Sequence, residues 1–262
     1  MTSPTSPLVY ITGASSGIGQ ALAARYAREG WRLALVARRT DEVERWVASA
    51  GLAPDRRQVY AADVQQIDSI AAAGAACIAR QGLPDVVIAN AGISVGMDSA
   101  DRGDLDVMAQ TLATNVTGMA ATFHPFVAPM RARRSGALVG VASVAAIRGL
   151  PGHGAYCASK SAVVAYCESL RGECRDADVR VVTLLPGYIA TPLTARNPYP
   201  MPFLLSAEAF ADRAYAAIAS GASYRVIPWQ MAVVAKLLRV LPNALFDRVV
   251  AGRGRKPRRG EA

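Results

Sequence analysis

Leu8-Val-Tyr-Ile-Thr-Gly-Ala-Ser-Ser-Gly-Ile-Gly19 is the stretch that decides the fold, and Gln20–Arg28 continues it with a run rich in helix formers. Leu8–Ile11 is a short apolar run of β-branched and aromatic residues, the pattern of a buried strand. Gly13, Gly17 and Gly19 follow at once. Glycine permits backbone conformations that a side chain would forbid, so the chain can turn sharply from strand into helix. The order is strand, glycine turn, helix.

Working outward, the same alternation recurs along the chain. Leu33–Val36, Gln58–Ala61, Val86–Ala89, Ala137–Val141, Arg180–Leu184 and Tyr224–Ile227 read as further strands, each spaced from the next by enough chain for a crossover helix. Val86-Val-Ile-Ala and Ala137-Leu-Val-Gly-Val are almost wholly apolar, as strands covered on both faces must be. The pattern predicts an α/β, Rossmann-type doubly wound sheet of seven mainly parallel strands with helices on both faces. Residues 1–228 would form this domain. Trp229–Leu241 and Ala244–Ala251, divided by Pro242, would add a C-terminal helical extension, packed on the same domain or at an interface, ahead of a flexible tail at 252–262.

A chain of 262 residues with 52% hydrophobic content can bury a large core. The net charge of +9 is uneven, because Arg253, Arg255, Lys256, Arg258 and Arg259 crowd the last eleven residues against Glu261. Such a terminus reads first as a solubilising tail. It has no interleaved aromatic residues, so a nucleic-acid partner is not expected. Cys77, Cys157, Cys167 and Cys174, with His124 and His153, lack any metal-ligand spacing, and neither disulfides nor a metal is expected. The opening residues carry no basic stretch followed by an apolar run, so a cytoplasmic location is expected.

Free N–H groups and the positive dipole end at the start of a helix, placed after a glycine turn, suit a pyrophosphate, which makes a dinucleotide the expected ligand. Gly13, Ser15, Ser16, Gly17, Ile18 and Gly19 are its candidate contacts. A carboxylate normally ends the second strand of an NAD site, yet this chain reads Val36-Ala37-Arg38-Arg39. Guanidinium groups there suit the 2′-phosphate of NADP(H), which leaves NAD(H) as the less favoured cofactor.

The spacing T-G-x-x-x-G-x-G over Thr12–Gly19 resembles the short-chain dehydrogenase/reductase family. Asp63-Val64 is similar to the family pair beside the adenine ring, and Asn90-Ala91-Gly92 to its N-A-G segment along the cofactor. Pro186-Gly187-Tyr188-Ile189-Ala190-Thr191 is similar to the P-G-x-x-x-T segment that meets the nicotinamide carboxamide, which implicates Pro186, Gly187, Ile189 and Thr191. The resemblance covers about residues 8 to 228 and shows no departure at a motif position.

Tyr156-Cys-Ala-Ser-Lys160 puts a phenol and an ammonium on one helix face. Together with Asn115 and Ser143, these residues match the family's catalytic tetrad. Reducing a ketone needs a proton donor at oxygen, and a free phenol, with a pKa of about 10, is a weak acid. A nearby Lys160 cation would favour the phenolate, and bringing its pKa to neutrality corresponds to roughly 4 kcal/mol. In the family the lysine also binds the nicotinamide ribose, so Tyr156 and Lys160 count as cofactor contacts too. Ser143 would bond the substrate oxygen. By the same resemblance, Asn115 would hold a relay water.

Thr191–Ser206, proline-rich and apolar, falls where the family carries its substrate lid. Phe203, Leu204 and Leu205 there suggest an apolar ketone, aldehyde or alcohol substrate, and His153 and Tyr188 could border the same pocket. The family also implies a homodimer or homotetramer packed through the helices of Asn115 and Tyr156. Residues 229–259 could instead touch a membrane surface. Two competing functions share these residues, a noncatalytic NADP(H) sensor on the same fold and a 3-oxoacyl thioester reductase.

Overall fold

The computed structural model describes residues 6–195, 197–252 and 254–260. Seven parallel strands form one sheet: β1 (Leu8–Thr12), β2 (Arg32–Ala37), β3 (Arg57–Ala61), β4 (Val86–Ala89), β5 (Ala137–Val141), β6 (Arg180–Pro186) and, last in the chain, Tyr224–Ile227. The short strands β7 (Ile189–Ala190) and β8 (Leu205–Ser206) pair with each other outside it, so Tyr224–Ile227 is β9. The sheet order is β3-β2-β1-β4-β5-β6-β9. Every expected strand is present, with its ends moved by at most two residues.

The helices are α1 (Gly17–Arg28), α2 (Thr40–Ser49), α3 (Ile67–Gln81), α4 (Asp104–Leu112), α5 (Gly118–Arg133), α6 (Gly154–Cys174), α7 (Ala207–Ala219), α8 (Trp229–Val240) and α9 (Asn243–Val250). α1, α2 and α7 bury their apolar stripes with Val9, Ile11 and Leu35 on one face of the sheet. α3, α5 and α6 cover Leu8, Tyr10 and Leu138 on the other. The alternation of side chains along each strand feeds both cores, which is why the strands read as continuous apolar runs. Phe126 of α5 packs its ring 4.8 Å from that of Tyr10. Truncating such a fully buried ring to alanine costs about 3–5 kcal/mol.

The end of the chain departs from the expected flexible tail. Gly96 donates its N–H to the Pro257 carbonyl at 3.0 Å. Arg258 pairs with Asp104 at 2.7 Å and also with Asp101, while Arg255 lies 3.9 Å from Asp98. Two of the basic residues that suggested a solvated terminus, Arg255 and Arg258, therefore find an acidic counter-surface around Asp98–Asp104. A reading of the tail alone could not see that partner, because it comes from a segment some 150 residues earlier. Arg253 and Glu261 of the same tail lie outside the described residues. No helix among the described residues is long and apolar enough to cross a membrane, and Cys77, Cys157, Cys167 and Cys174 are buried free thiols.

Candidate active site

The sheet reverses its winding between β1 and β4, and a cleft opens there at the carboxyl ends of the strands. A cavity of about 460 Å³ occupies it. Gly13, Ser15, Ser16, Gly17, Ile18, Arg38, Arg39, Asp63, Val64, Asn90, Ala91, Gly92, Ser143, Tyr156, Lys160, Pro186, Gly187, Ile189 and Thr191 all line it. Gly19 and Asn115 do not. Both support the wall from behind.

Glycine is required at two points of the turn. Gly13 has φ +70°, a left-handed conformation that side chains resist. A Cβ on Gly19 would lie 2.2 Å from the Gly13 carbonyl oxygen, so only glycine lets α1 start so close to β1. Thr12 fixes the neighbouring segment, its Oγ1 accepting from the N–H groups of Asn90 (3.1 Å) and Ala91 (3.2 Å). The Asn90 amide then donates to the Thr12 carbonyl at 3.0 Å. The first turn of α1 has no acidic residue and its cap makes no side-chain bond, which leaves the amides available to an anion. These features fit a dinucleotide pyrophosphate.

At the end of β2, Arg39 donates to Ser15 Oγ at 3.3 Å and pairs with Glu42 at 3.0 Å. Arg38 lies 3.6 Å from the Asp63 carboxylate. Both guanidinium groups are more than half exposed.

Asn115 sits in a five-residue π-helical stretch, Ala113–Thr117, that joins α4 to α5. Its carboxamide accepts from Ile93 N–H at 2.8 Å and donates to Ile93 O at 3.0 Å and Ser159 Oγ at 2.9 Å. Ser159 in turn donates to the Tyr156 carbonyl at 2.8 Å. Asn115 thus ties the loop after β4 to the helix of the tyrosine, and Ser159 is a link that the sequence motifs did not single out. Among further lining residues the motifs missed, Thr194 accepts from Thr191 N–H at 3.1 Å and donates to the Ile189 carbonyl at 2.5 Å, which holds the segment after β6 in place.

The electrostatics correct one expectation. Lys160 is buried, donates to the Val141 carbonyl at 2.8 Å, and has its Nζ 5.7 Å from the centre of the Tyr156 ring. Burial pushes Lys160 down to about 8. Burial also raises the Tyr156 phenol above its usual value, partly offset by a hydrogen bond with the Ser143 hydroxyl. Desolvation of both groups outweighs the attraction that their i, i+4 spacing suggested.

A second, more apolar cavity of about 210 Å³ meets the first at Ser143, Tyr156, Gly187, Leu193 and Thr194. His153 and Tyr188 line it, as does Tyr199, whose hydroxyl lies 3.1 Å from His153 Nε2. Burial lowers the pKa of His153. The expected apolar contacts are replaced: Phe203 and Leu204 are 49% and 46% exposed and do not line the cavity, while Leu193 and Pro202 do. Met231, Val234, Ala235 and Leu238 of α8 form a further wall. Their helical spacing is visible in the sequence, but the surface they cover is not. A Cβ at Gly187 would lie 2.8 Å from Met231 Cγ, so glycine lets α8 approach.

Parallel strands in this order, a glycine turn at the crossover, and Ser143 and Tyr156 at the junction of two cavities with Lys160 in the larger one define a dinucleotide-fold oxidoreductase. The short chain dehydrogenase model matches residues 7–200, and the chain belongs to that family. An uncharacterized oxidoreductase of Myxococcus xanthus (strain DK1622) is 39% identical over 237 residues, covering 90% of this chain and 93% of that one. A short-chain dehydrogenase/reductase from Burkholderia phymatum, solved with NAD, superposes with a TM-score of 0.80 at 25% identity, covering 90% of this chain and 94% of that one. An alcohol dehydrogenase from the archaeon Thermococcus sibiricus, solved with 5-hydroxy-NADP, gives 0.75 at 25% identity over 84% of this chain and 95% of that one.

Proposed function

We propose that the protein is an NADP(H)-dependent oxidoreductase that interconverts a ketone or aldehyde and an alcohol on a largely apolar substrate. The observation that carries this reading is the meeting of the two cavities at Ser143 and Tyr156. A nicotinamide dinucleotide bound in the larger cavity supplies or takes up the hydride. Tyr156 gives a proton to the substrate oxygen in reduction and removes it in oxidation. Without substrate the Ser143 hydroxyl bonds the phenol and favours the phenolate; with substrate bound it donates that single hydrogen bond to the substrate oxygen instead. Lys160 holds the ribose and, as a cation close to the Tyr156 ring, favours the phenolate. Asn115 orders the backbone around a proton-relay water.

The preference for NADP(H) rests on Arg38, Arg39 and Ser15 around the end of β2, where a 2′-phosphate can take the place of the exposed carboxylate contacts. The first test is absorbance at 340 nm with NADPH and a panel of apolar ketones, with Tyr156→Phe run in parallel. Turnover that falls by about 10²- to 10⁴-fold in the variant, with NADPH binding retained, is the expected result. Equal turnover in both proteins overturns the role of Tyr156.

The same reading includes a cytoplasmic location, in keeping with four unpaired thiols, and a homodimer or homotetramer packed through α4, α5 and α6. Trp229, Val233, Leu237 and Val240 form an exposed apolar row on α8 that suits burial against another copy. Light scattering tests the assembly. Co-sedimentation with liposomes distinguishes it from contact with a membrane.

A further inference from the structure

The C-terminal tail that packs beside the site brings charge into the apolar cavity. Gly254 and Lys256 line it, and Arg148 is the one other charged residue among the described lining residues. Among the described residues neither an aspartate nor a glutamate lines it. Arg148 is already engaged: its guanidinium donates to the Leu241 carbonyl at 2.7 Å, to the Leu238 carbonyl and to Asn243 Oδ1 at 2.9 Å, and it stacks 3.8 Å from the centre of the Phe246 ring. Lys256 differs. Its ammonium donates to two neutral oxygens, the Leu193 carbonyl at 2.7 Å and Asn197 Oδ1 at 3.0 Å, and no carboxylate among the described residues pairs with it.

The position of Lys256 is built into the fold. A Cβ on Gly96 would lie 2.0 Å from the Lys256 carbonyl oxygen, and one on Gly152, where φ is +74°, would lie 3.0 Å from Arg255 Cβ. These two glycines let the tail cross closely over the loops after β4 and β5. Arg258 clamps the next residues to Asp101 and Asp104. A partly buried ammonium with neutral partners alone is electrostatically incomplete, and an anion entering the cavity completes it. Burial also lowers the pKa of Lys256, which a bound anion would reverse.

We propose that Lys256 is a substrate-recognition residue, and that the substrate is a carbonyl or alcohol compound with an apolar body and one carboxylate group, which Lys256 binds. This rests on the oxidoreductase reading above and specifies its substrate class. Leu193 and Asn197 belong to the lid segment, so their hydrogen bonds to Lys256 also couple anion binding to the lid.

The test separates charge recognition from a purely structural role. Lys256→Gln keeps a hydrogen-bond donor for Leu193 and Asn197 but removes the charge, and Lys256→Arg keeps the charge. Calorimetric titration of the full-length protein with octanoate and with octan-2-one gives a readout independent of turnover. Octanoate affinity is expected to fall at least tenfold in Lys256→Gln and to be largely kept in Lys256→Arg, while octan-2-one binds all three proteins alike. In turnover, KM for 7-oxooctanoate is expected to rise at least tenfold in Lys256→Gln with kcat little changed, and that for its methyl ester to stay constant. Equal losses for charged and neutral ligands, or octanoate binding that ignores Lys256, overturn the proposal. If octanoate binding depends on Lys256 but no carbonyl compound is turned over, the oxidoreductase reading fails and anion recognition stands. If neutral ketones are reduced with no preference for the carboxylate, anion recognition alone fails.

Discussion

Replacing Lys160 by methionine is expected to stabilise the free protein while removing its activity. Lys160 is 5% exposed, and the fall of its pKa from 10.5 to about 8 corresponds to about 3 kcal/mol of unfavourable burial of the charged form. Methionine matches the aliphatic stem but gives up the 2.8 Å hydrogen bond to the Val141 carbonyl, worth about 1 kcal/mol. The net gain is about 2 kcal/mol at pH 7, or roughly 4–8 °C in Tm for a chain of this size. Because the folded-state pKa lies below the unfolded one, the unfolded chain binds more protons between about pH 8 and 10.5, and parent stability rises across that window. The advantage of Lys160→Met is therefore largest below pH 8 and shrinks above it. Calorimetric scans of both proteins without cofactor at pH 7 and 9.5 measure the difference. A variant less stable than the parent at pH 7, or a gap that does not change with pH, would refute the reasoning. Adding NADPH is expected to reverse the order at pH 7, since the ligand stabilises the protein that binds it better.

Three further outcomes follow from the cofactor cleft. Gly19→Ala drives a Cβ to within 2.2 Å of the Gly13 carbonyl, so the turn must move, and a loss of about 1–3 kcal/mol of stability with at least tenfold weaker NADPH binding is expected in denaturation and fluorescence titrations. Thr12→Val keeps the shape of a buried side chain but leaves the N–H groups of Asn90 and Ala91 without their acceptor, which is expected to cost about 2 kcal/mol in urea unfolding. The double change Arg38→Ala with Arg39→Ala is expected to weaken NADPH roughly tenfold and leave NADH nearly unchanged, the loss being modest because both guanidinium groups are solvated. Equal effects on the two cofactors in competition binding would remove the basis for the NADP(H) preference.

Much of this protein is written locally. The strands are apolar runs because both faces of a parallel sheet are buried, and Gly13 and Gly19 mark the turn because the backbone there leaves no room for a side chain. Nearly every residue that the motifs indicated lines the cleft, since most sit at or just after the carboxyl ends of strands that the sheet order brings together, and α6 carries Tyr156 and Lys160 to the same place. Less legible were quantities that depend on distant packing. The i, i+4 spacing of Tyr156 and Lys160 fixes their shared helix face but not the desolvation that raises one pKa and lowers the other.

Sequence alone determined the sheet, the glycine turn and the group of side chains at the cleft, because strand and helix periodicity and steric demands act between neighbours in the chain. Only the tertiary structure decided what encloses the second cavity. Helix α8 lies against Gly187, Phe203 and Leu204 turn away from the cavity, and Lys256 reaches Leu193 and Asn197 because Arg258 finds Asp101 and Asp104. Those contacts join residues about 40 to 160 positions apart, and their energies arise from burial and charge pairing that exist once the chain has folded.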